Sequence, residues 1–372
     1  MKTVCEINKC AGCMACVDIC SKNAIKIEDN LFAYNAVIDE TKCISCNRCY
    51  SVCQENNLIE LSNPILWKEG WAKDECIRSN SSSGGYASEI ARTFVKNGGV
   101  VCSCLFQNGE FNFICVENEQ DIDKFSGSKY VKSNPKGIYK EIIGILKMGR
   151  KVLFIGLPCQ VAAVKKFAKN NVNLYTIDLI CHGTSSPKVL DIFLRGHGCT
   201  LKSVKDISFR SKTKFGLNNE EKRFSVPTVT DEYLYTFLNS TIYTENCYSC
   251  KYATIERIGD LTLGDSWGTT LQQDLMKKGI SLLLCQNDKG KELLEDADLE
   301  LFDVDLKKSI EFNHQLDHPS TKPTQRNKFL KGLKEGKTFK KMMFRVYPKR
   351  YLKNFIKTAI YKISSNKSRG GK

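Results

Sequence analysis

The sequence predicts a multidomain protein of mixed α+β and α/β class: a small cysteine-dense domain, a mixed α/β body and a basic helical tail. Three observations lead there. The pattern C-x2-C-x2-C-x3-C occurs twice before residue 60. Further on, Lys151-Val-Leu-Phe-Ile-Gly, the helical spacing of Val161 to Asn170 and Leu174-Tyr-Thr-Ile-Asp-Leu-Ile read as strand, helix, strand. Charge is the third: of 56 Lys and Arg residues, 17 lie in residues 322–372 beside a single acid, Glu335.

The 372 residues suffice for two or three domains, and an apolar fraction of 42% supports real cores and excludes a disordered chain. Nineteen cysteines is a heavy load. The start, Met1-Lys-Thr-Val-Cys-Glu, lacks the apolar stretch of a signal peptide, and no window is long and apolar enough to span a bilayer. A cytoplasmic setting is therefore expected, where cysteines serve metals or redox chemistry rather than disulfides.

Residues 1–62 are expected to form the first domain. Cys10, Cys13, Cys16 and Cys20 make one run, and Cys43, Cys46, Cys49 and Cys53 repeat it with every position shifted by 33 residues. The segments 24–28 and 58–62 also correspond, each suited to a short strand. The doubled run resembles a bacterial ferredoxin with two 4Fe-4S clusters. In that arrangement three closely spaced thiolates wrap one cubane and the fourth crosses to the other cluster. Cys10, Cys13, Cys16 and Cys53 are thus assigned to one cluster, and Cys43, Cys46, Cys49 and Cys20 to the other. The proline usual after the fourth cysteine is replaced by Ser21 and Gln54, which are not ligand positions. A lone C-x-x-C would also suit zinc, but eight cysteines in this doubled spacing favour clusters. Cys5 precedes the pattern and is read as a non-ligand.

Residues 63–140 follow as a second unit. A linker with Pro64, Trp67 and Trp71 leads to Ser79-Asn-Ser-Ser-Ser-Gly-Gly-Tyr, then to a helix over 89–96 closed by Asn97-Gly98-Gly99. Hydroxyls and glycines ahead of a helix N-terminus suit a phosphate, although an ordinary serine cap reads the same way. Neither G-x-G-x-x-G nor a Walker lysine motif occurs. Val100-Val-Cys-Ser-Cys-Leu-Phe reads as a buried strand, and Cys102, Cys104, Cys115, Cys199 and Cys285 as core thiols. Ser126-Gly-Ser-Lys-Tyr-Val-Lys-Ser is a second donor-rich turn, with Lys129 able to meet a phosphate.

Residues 141–321 form the third unit. Its β-α-β crossover makes the two strands parallel, so Cys159 and Cys181 sit at their carboxyl ends, where open α/β sheets bind ligands. Each could instead be a buried structural thiol. Cys247-Tyr-Ser-Cys250 has no partner pair nearby, and with Cys159 and Cys181 it would complete a third four-thiolate site.

The tail, residues 322–372, leaves a body of 39 basic and 40 acidic residues. Residues 339–363 interleave aromatic and aliphatic residues with lysines, as an amphipathic helix for an anionic membrane surface or an acidic protein groove would. The alternative is a helix packed on its own body with a solvated lysine fringe. A peripheral place at the inner face of the membrane is compatible with the first. Nucleic acid is disfavoured, because the tail has no recognisable reading motif.

Ser82-Ser-Gly-Gly, Gly127-Ser-Lys-Tyr-Val-Lys-Ser, Gly156-Leu-Pro-Cys-Gln, Cys181-His-Gly-Thr-Ser-Ser-Pro and Gly259-Asp-Leu-Thr-Leu-Gly-Asp-Ser-Trp-Gly occur in that order. Together they resemble the beta subunit family of coenzyme F-420 hydrogenases and dehydrogenases, in the form found in bacterial polysaccharide gene clusters. The likeness covers about residues 1–320. It implies a flavoprotein body with FAD near the serine-glycine turns and a 4Fe-4S cluster close to the flavin. Cys159, Cys181, Cys247 and Cys250 are its implied ligands. FAD contacts carry over to Ser82, Ser83, Gly84, Gly85, Ser128, Lys129 and Ser133, with Asp265 and Trp267 near the cofactor. Asp265 could equally cap a turn. His182 beside the cluster turn and Asp265 are the candidates for proton chemistry, with a structural role the competing reading for His182.

The function expected is an FAD-dependent iron–sulfur oxidoreductase, cytoplasmic, taking electrons from a one-electron donor such as a ferredoxin to a small organic substrate. That substrate is the deazaflavin coenzyme or a sugar or glycan intermediate; fold alone does not choose. The alternative is an electron-transfer subunit that relays electrons to a partner protein.

Overall fold

The computed structural model describes residues 1–369, with side chains through Ser365. The N-terminal repeat is structural as well as sequential. Short helices Ala15–Ile19 and Arg48–Val52 lie 33 residues apart, preceded by Met14 and Asn47 in the left-handed conformation. Gly12 and Ser45 are left-handed too, at φ 71° and 54°. This places the backbone N–H of Gly12 against Cys10 Sγ and that of Ser45 against Cys43 Sγ, both at 3.4 Å.

Strands β1 (Ile25–Asp29) and β2 (Tyr34–Ile38) pair antiparallel. The second strand expected over 58–62 does not form. That segment is the exit into the body, where Ile59 and Leu61 pack on the core and Ser62 exchanges backbone hydrogen bonds with Arg257. β2 takes the place beside β1 instead.

The body is one eight-stranded mixed sheet, with helices on both faces. It consists of β3 (Leu66–Ala72), β4 (Val100–Gln107), β5 (Glu110–Val116), β6 (Val152–Gly156), β7 (Leu174–Leu179), β10 (Leu261–Asp265), β11 (Ser281–Cys285) and β12 (Leu299–Phe302). Their order is β12-β3-β11-β10-β7-β6-β4-β5. The four strands β10, β7, β6 and β4 are parallel and the flanks antiparallel. Residues 63–140 and 141–321 therefore share this sheet. The parallel β6–β7 unit forms as the sequence predicts: β6 is buried throughout, as a strand covered on both faces must be. Its helix, Pro158–Phe167, starts earlier than the expected Val161, because Pro158 at the first helical position has the required φ and no N–H to satisfy. The helix expected over 89–96 likewise begins at Tyr86, with left-handed Gly85 as its cap.

One side of the sheet packs against the helix Tyr86–Lys96 through Tyr86, Ile90 and Phe94. On the other side, Val100, Phe154, Val161 and Ile142 share a core with Cys10, Ile25, Tyr34 and Val52 of the N-terminal domain. Polar stitches reinforce that junction. Lys132 Nζ donates to the Ala11 carbonyl at 3.0 Å, Tyr139 Oη to the Cys13 carbonyl at 2.6 Å, and Gly137 N to Asp18 Oδ1 at 2.8 Å.

A separate core gathers the hairpin β8 (Ile207–Ser211) and β9 (Lys214–Asn219) with helices Pro187–Arg195, Glu232–Leu238, Gln325–Lys334 and Phe339–Val346. The single amphipathic helix expected over 339–363 is two helices, split at Tyr347 before Pro348, which ends the first as proline does. The first is built into the body through Phe339, Met342 and Met343; the second, Pro348–Arg369, lies outside. No helix among the described residues is long and apolar enough to cross a membrane.

Candidate functional site

The site is a succession of side-chain groups running from the N-terminal surface to the carboxyl edge of the sheet. The outermost group is Cys20, Cys43, Cys46 and Cys49, none of them buried, with Cys46 exposed. Burial raises the Cys49 thiol pKa, and the charges of nearby Cys20 and Cys43 add to it. Next inward, Cys10, Cys13, Cys16 and Cys53 line one small cavity together with Cys5. Burial holds the Cys13 and Cys16 thiols well above the ordinary range, and Cys49 of the outer group is near enough to contribute to Cys16. Cys5, set aside in the sequence, sits in hydrogen-bonding reach of Cys10 and Cys53.

The third group is assembled from three elements. Cys159 lies in the first turn of the helix Pro158–Phe167, Cys181 follows β7, and Cys247 lies within a short 3-10 turn, Glu245–Ser249, that Cys250 caps. All four line one cleft of about 700 Å³ with Lys9, Lys132, His182 and Tyr252. Burial pushes Cys159 up to about 12 and Cys250 to about 11, with Lys132 opposing the rise at Cys159. Four crowded thiols of this kind do not ionise alone; a metal centre supplies the charge that keeps them as thiolates. Among the described residues, no three His, Cys, Asp or Glu side chains converge as tightly as a single ion requires. A cubane differs in that each cysteine holds its own iron, so the thiolates stand further apart around a cavity. The donor sets fit that group.

Lys132 joins the inner and third groups. Its ammonium lowers the thiol pKa of Cys10 and Cys159 alike, although burial and cysteine hydrogen bonding dominate those sites. The sequence drew attention to its neighbours Lys129 and Ser133 and passed over Lys132.

Beyond the third group stands His182, on the rim of the cleft. Gln315 Nε2 lies 2.8 Å from its Nδ1, and packed protein around the ring, with His314 nearby, lowers its pKa to about 4. The charges of Asp265 and Arg210 also reach it. These two form a bidentate pair, 2.7 and 2.8 Å, at the end of β10. A cap or turn role for Asp265 is thereby replaced by an ion pair.

A second cleft, of about 290 Å³, opens beside that pair and is lined by Ser82, Ser83, Asp265, Trp267, Lys212 and Gly279, among others. The two serine turns meet here: Ser128 N donates to Ser82 Oγ at 2.8 Å, and Arg210 Nε donates to Ser128 Oγ at 3.2 Å. Lys212 Nζ donates to the carbonyls of Ser81 and Ser83 at 2.7 and 3.0 Å, and also to that of Arg78. Burial lowers its pKa to about 8, helped by Arg78 and Arg210. Hydroxyls, turn backbone and the Lys212 cation line this cleft, a donor set of the kind a pyrophosphate takes.

The remaining sequence candidates lie elsewhere. Lys129 Nζ turns inward to the carbonyls of Phe125 and Ser126, at 2.6 and 3.1 Å, and Ser133 Oγ accepts from Gln160 Nε2 at 2.8 Å. Gly84 is explained by packing, since a Cβ there would meet the Gly70 carbonyl at 2.3 Å, and Gly85 caps its helix at φ 94°. Arg210 and Lys212 were not singled out from the sequence. Their signal was Phe209-Arg-Ser-Lys, two cations at a strand end, with Lys212 in the left-handed turn that follows β8.

Three family models match the chain. For the beta subunit of coenzyme F420 hydrogenase/dehydrogenase, the C-terminal model matches residues 149–305 and the N-terminal model residues 68–136. A 4Fe-4S dicluster domain matches residues 9–58. The chain belongs to the coenzyme F420 hydrogenase/dehydrogenase beta subunit family. It is an iron–sulfur protein of oxidoreductase type, and all twelve cysteines of the three groups fall inside the matched segments. Among curated proteins, none matches this beta subunit family member. Among solved structures, a chain of the F420-reducing NiFe hydrogenase complex from Methanosarcina barkeri is 20% identical. That match covers 69% of this chain and 94% of the other, with a TM-score of 0.49.

Proposed function

We propose that the protein is an iron–sulfur flavoenzyme that takes electrons from a one-electron donor through 4Fe-4S clusters to FAD and on to a small organic substrate. The observation that carries this reading is the succession of groups. Cys10, Cys13, Cys16 and Cys53 share one core with Cys20 and Cys49 on one side and Cys159 and Cys250 on the other, and His182 lines the cleft of the third group. Iron–sulfur clusters carry electrons singly, and a flavin accepts them singly and passes on a hydride.

The chain's own residues have defined tasks in this reading. The N–H groups of Gly12 and Ser45 donate to thiolate sulfur, which favours the reduced state of a cluster. Lys132 places a positive charge between two cysteine groups. Ser82, Ser83 and Lys212 hold the pyrophosphate of FAD, while Arg210 fixes Asp265 so that it does not repel that anion. Gln315 donates to His182 Nδ1, which leaves the ring proton on Nε2 of a neutral imidazole. His182 thus presents an Nε2–H that hydrogen-bonds and orients substrate at the edge of the cleft. The family's name makes the deazaflavin coenzyme the first substrate to assay and a sugar or glycan intermediate the second.

Iron, sulfide and flavin stoichiometry on chain purified without oxygen tests the proposal, with Cys159→Ser alongside. About twelve irons and one FAD are expected, falling to about eight irons in the variant. Eight irons in both, with no flavin, would overturn it.

A further inference from the structure

The helix Pro348–Arg369 presents its apolar side to solvent. Leu352, Phe355, Ile356, Ile360 and Ile363 recur at three- and four-residue spacing and so share one face. They are 57, 61, 48, 61 and 60% exposed. The opposite face is the one seated on the body, where Arg350 stacks over Tyr235 and Asn354 Nδ2 donates to the Thr230 carbonyl. The helix is therefore held with its hydrophobic side outward, the reverse of a helix that completes its own core. Lys349, Lys353 and Lys357 follow one border of the apolar stripe and Lys362 the other. Phe344 of the preceding helix, 60% exposed, adds to the patch.

We propose that this helix lies on an anionic lipid bilayer, with the apolar stripe in the acyl boundary and the lysine borders on the headgroups. Charge decides between occupants. The helix has seven basic and no acidic residues. Two copies of such a face repel each other, and a protein groove selective for it would need acids on both borders. A bilayer with anionic headgroups supplies apolar depth and negative charge in the geometry this helix presents. Residues 1–321 are balanced, with 39 basic and 40 acidic residues, and the basic excess lies in residues 322–372, on this helix and on the segment that leads into it. This inference does not depend on the proposed redox function.

The full-length holoprotein is sedimented with vesicles of phosphatidylcholine alone or phosphatidylcholine with phosphatidylglycerol. Two variants at solvent-facing positions accompany it, Phe355→Ser/Ile360→Ser and Lys353→Glu/Lys357→Glu, with visible cluster absorbance checked for each. Binding is expected only with the anionic lipid. It should weaken about tenfold or more in each variant and at about 1 M salt, where charges are screened within ~3 Å. Absence of binding to anionic vesicles, or binding indifferent to both variants, would overturn the proposal. So would a concentration-dependent dimer in solution that Phe355→Ser/Ile360→Ser converts to monomer, because the stripe would then belong to a second copy.

Discussion

Lys132 shows what a single side chain can decide in this site. Its ammonium hydrogen-bonds the Ala11 carbonyl, stands over the Tyr34 ring at 5.3 Å, and acts on both Cys10 and Cys159. Lys132→Met removes a positive charge that favours added electrons. Redox titration followed by electron paramagnetic resonance should find the nearby potentials lower, by on the order of tens of millivolts. Unchanged potentials would show that the charge is screened from the clusters. A similar experiment addresses the second cleft: Lys212→Met should weaken FAD retention about tenfold or more, as loss of a charged phosphate contact does. Flavin content unaffected by that change would remove Lys212 from the site. Residue identity was only partly legible in the sequence. Cysteine spacing announces its own chemistry, because a cluster fixes which positions must be thiols. Lys132, Arg210 and Lys212 act through charge at a distance, and only the fold reveals which groups their charges reach.

At the scale of elements, a buried ion pair ties β7 to the segment that leads into β10. Arg257 Nε donates to Asp178 Oδ1 at 3.1 Å with both residues almost fully buried, and Gly259 N donates to Asp178 Oδ2 at 2.7 Å. Arg257→Met leaves the carboxylate buried without its cation. It should cost ~3–5 kcal/mol in anaerobic denaturant unfolding, much of it recovered by adding Asp178→Asn. A loss below 1 kcal/mol would mean that water reaches the pair. The β-α-β unit containing Cys159 was readable because an apolar run, a proline helix start and a second apolar run leave little else to form. The missing strand at 58–62 was not readable. Its pattern suits a strand, but its partner was decided by the body, where Arg257 takes the Ser62 backbone. The single long C-terminal helix failed for a local reason, the proline at 348, and a tertiary one, the burial of Phe339, Met342 and Met343 in the body.

For the whole molecule, the charge count drew the tail's boundary at 322, whereas packing draws it at 347. Phe329, Leu330, Leu333, Phe339, Met342 and Met343 are all nearly or fully buried, and losing about 1.5–3 kcal/mol for each would be comparable to a whole domain's stability. A chain ended after Tyr347 should keep its iron content and unfolding midpoint, while one ended after Thr324 should not accumulate in folded form. Equal behaviour of the two would show that those helices merely rest on the body. The larger claim is that the N-terminal cysteine groups feed the flavin through the group at Cys159, Cys181, Cys247 and Cys250. The direct measurement is anaerobic stopped-flow mixing of FAD-loaded protein with a reduced ferredoxin, following flavin bleaching in the native chain and in Cys159→Ser. Bleaching should be rapid in the native chain. In the variant it should slow by orders of magnitude while the N-terminal clusters still reduce. Equal rates in the two proteins would contradict the route, and electrons would then reach the flavin without passing through the third group.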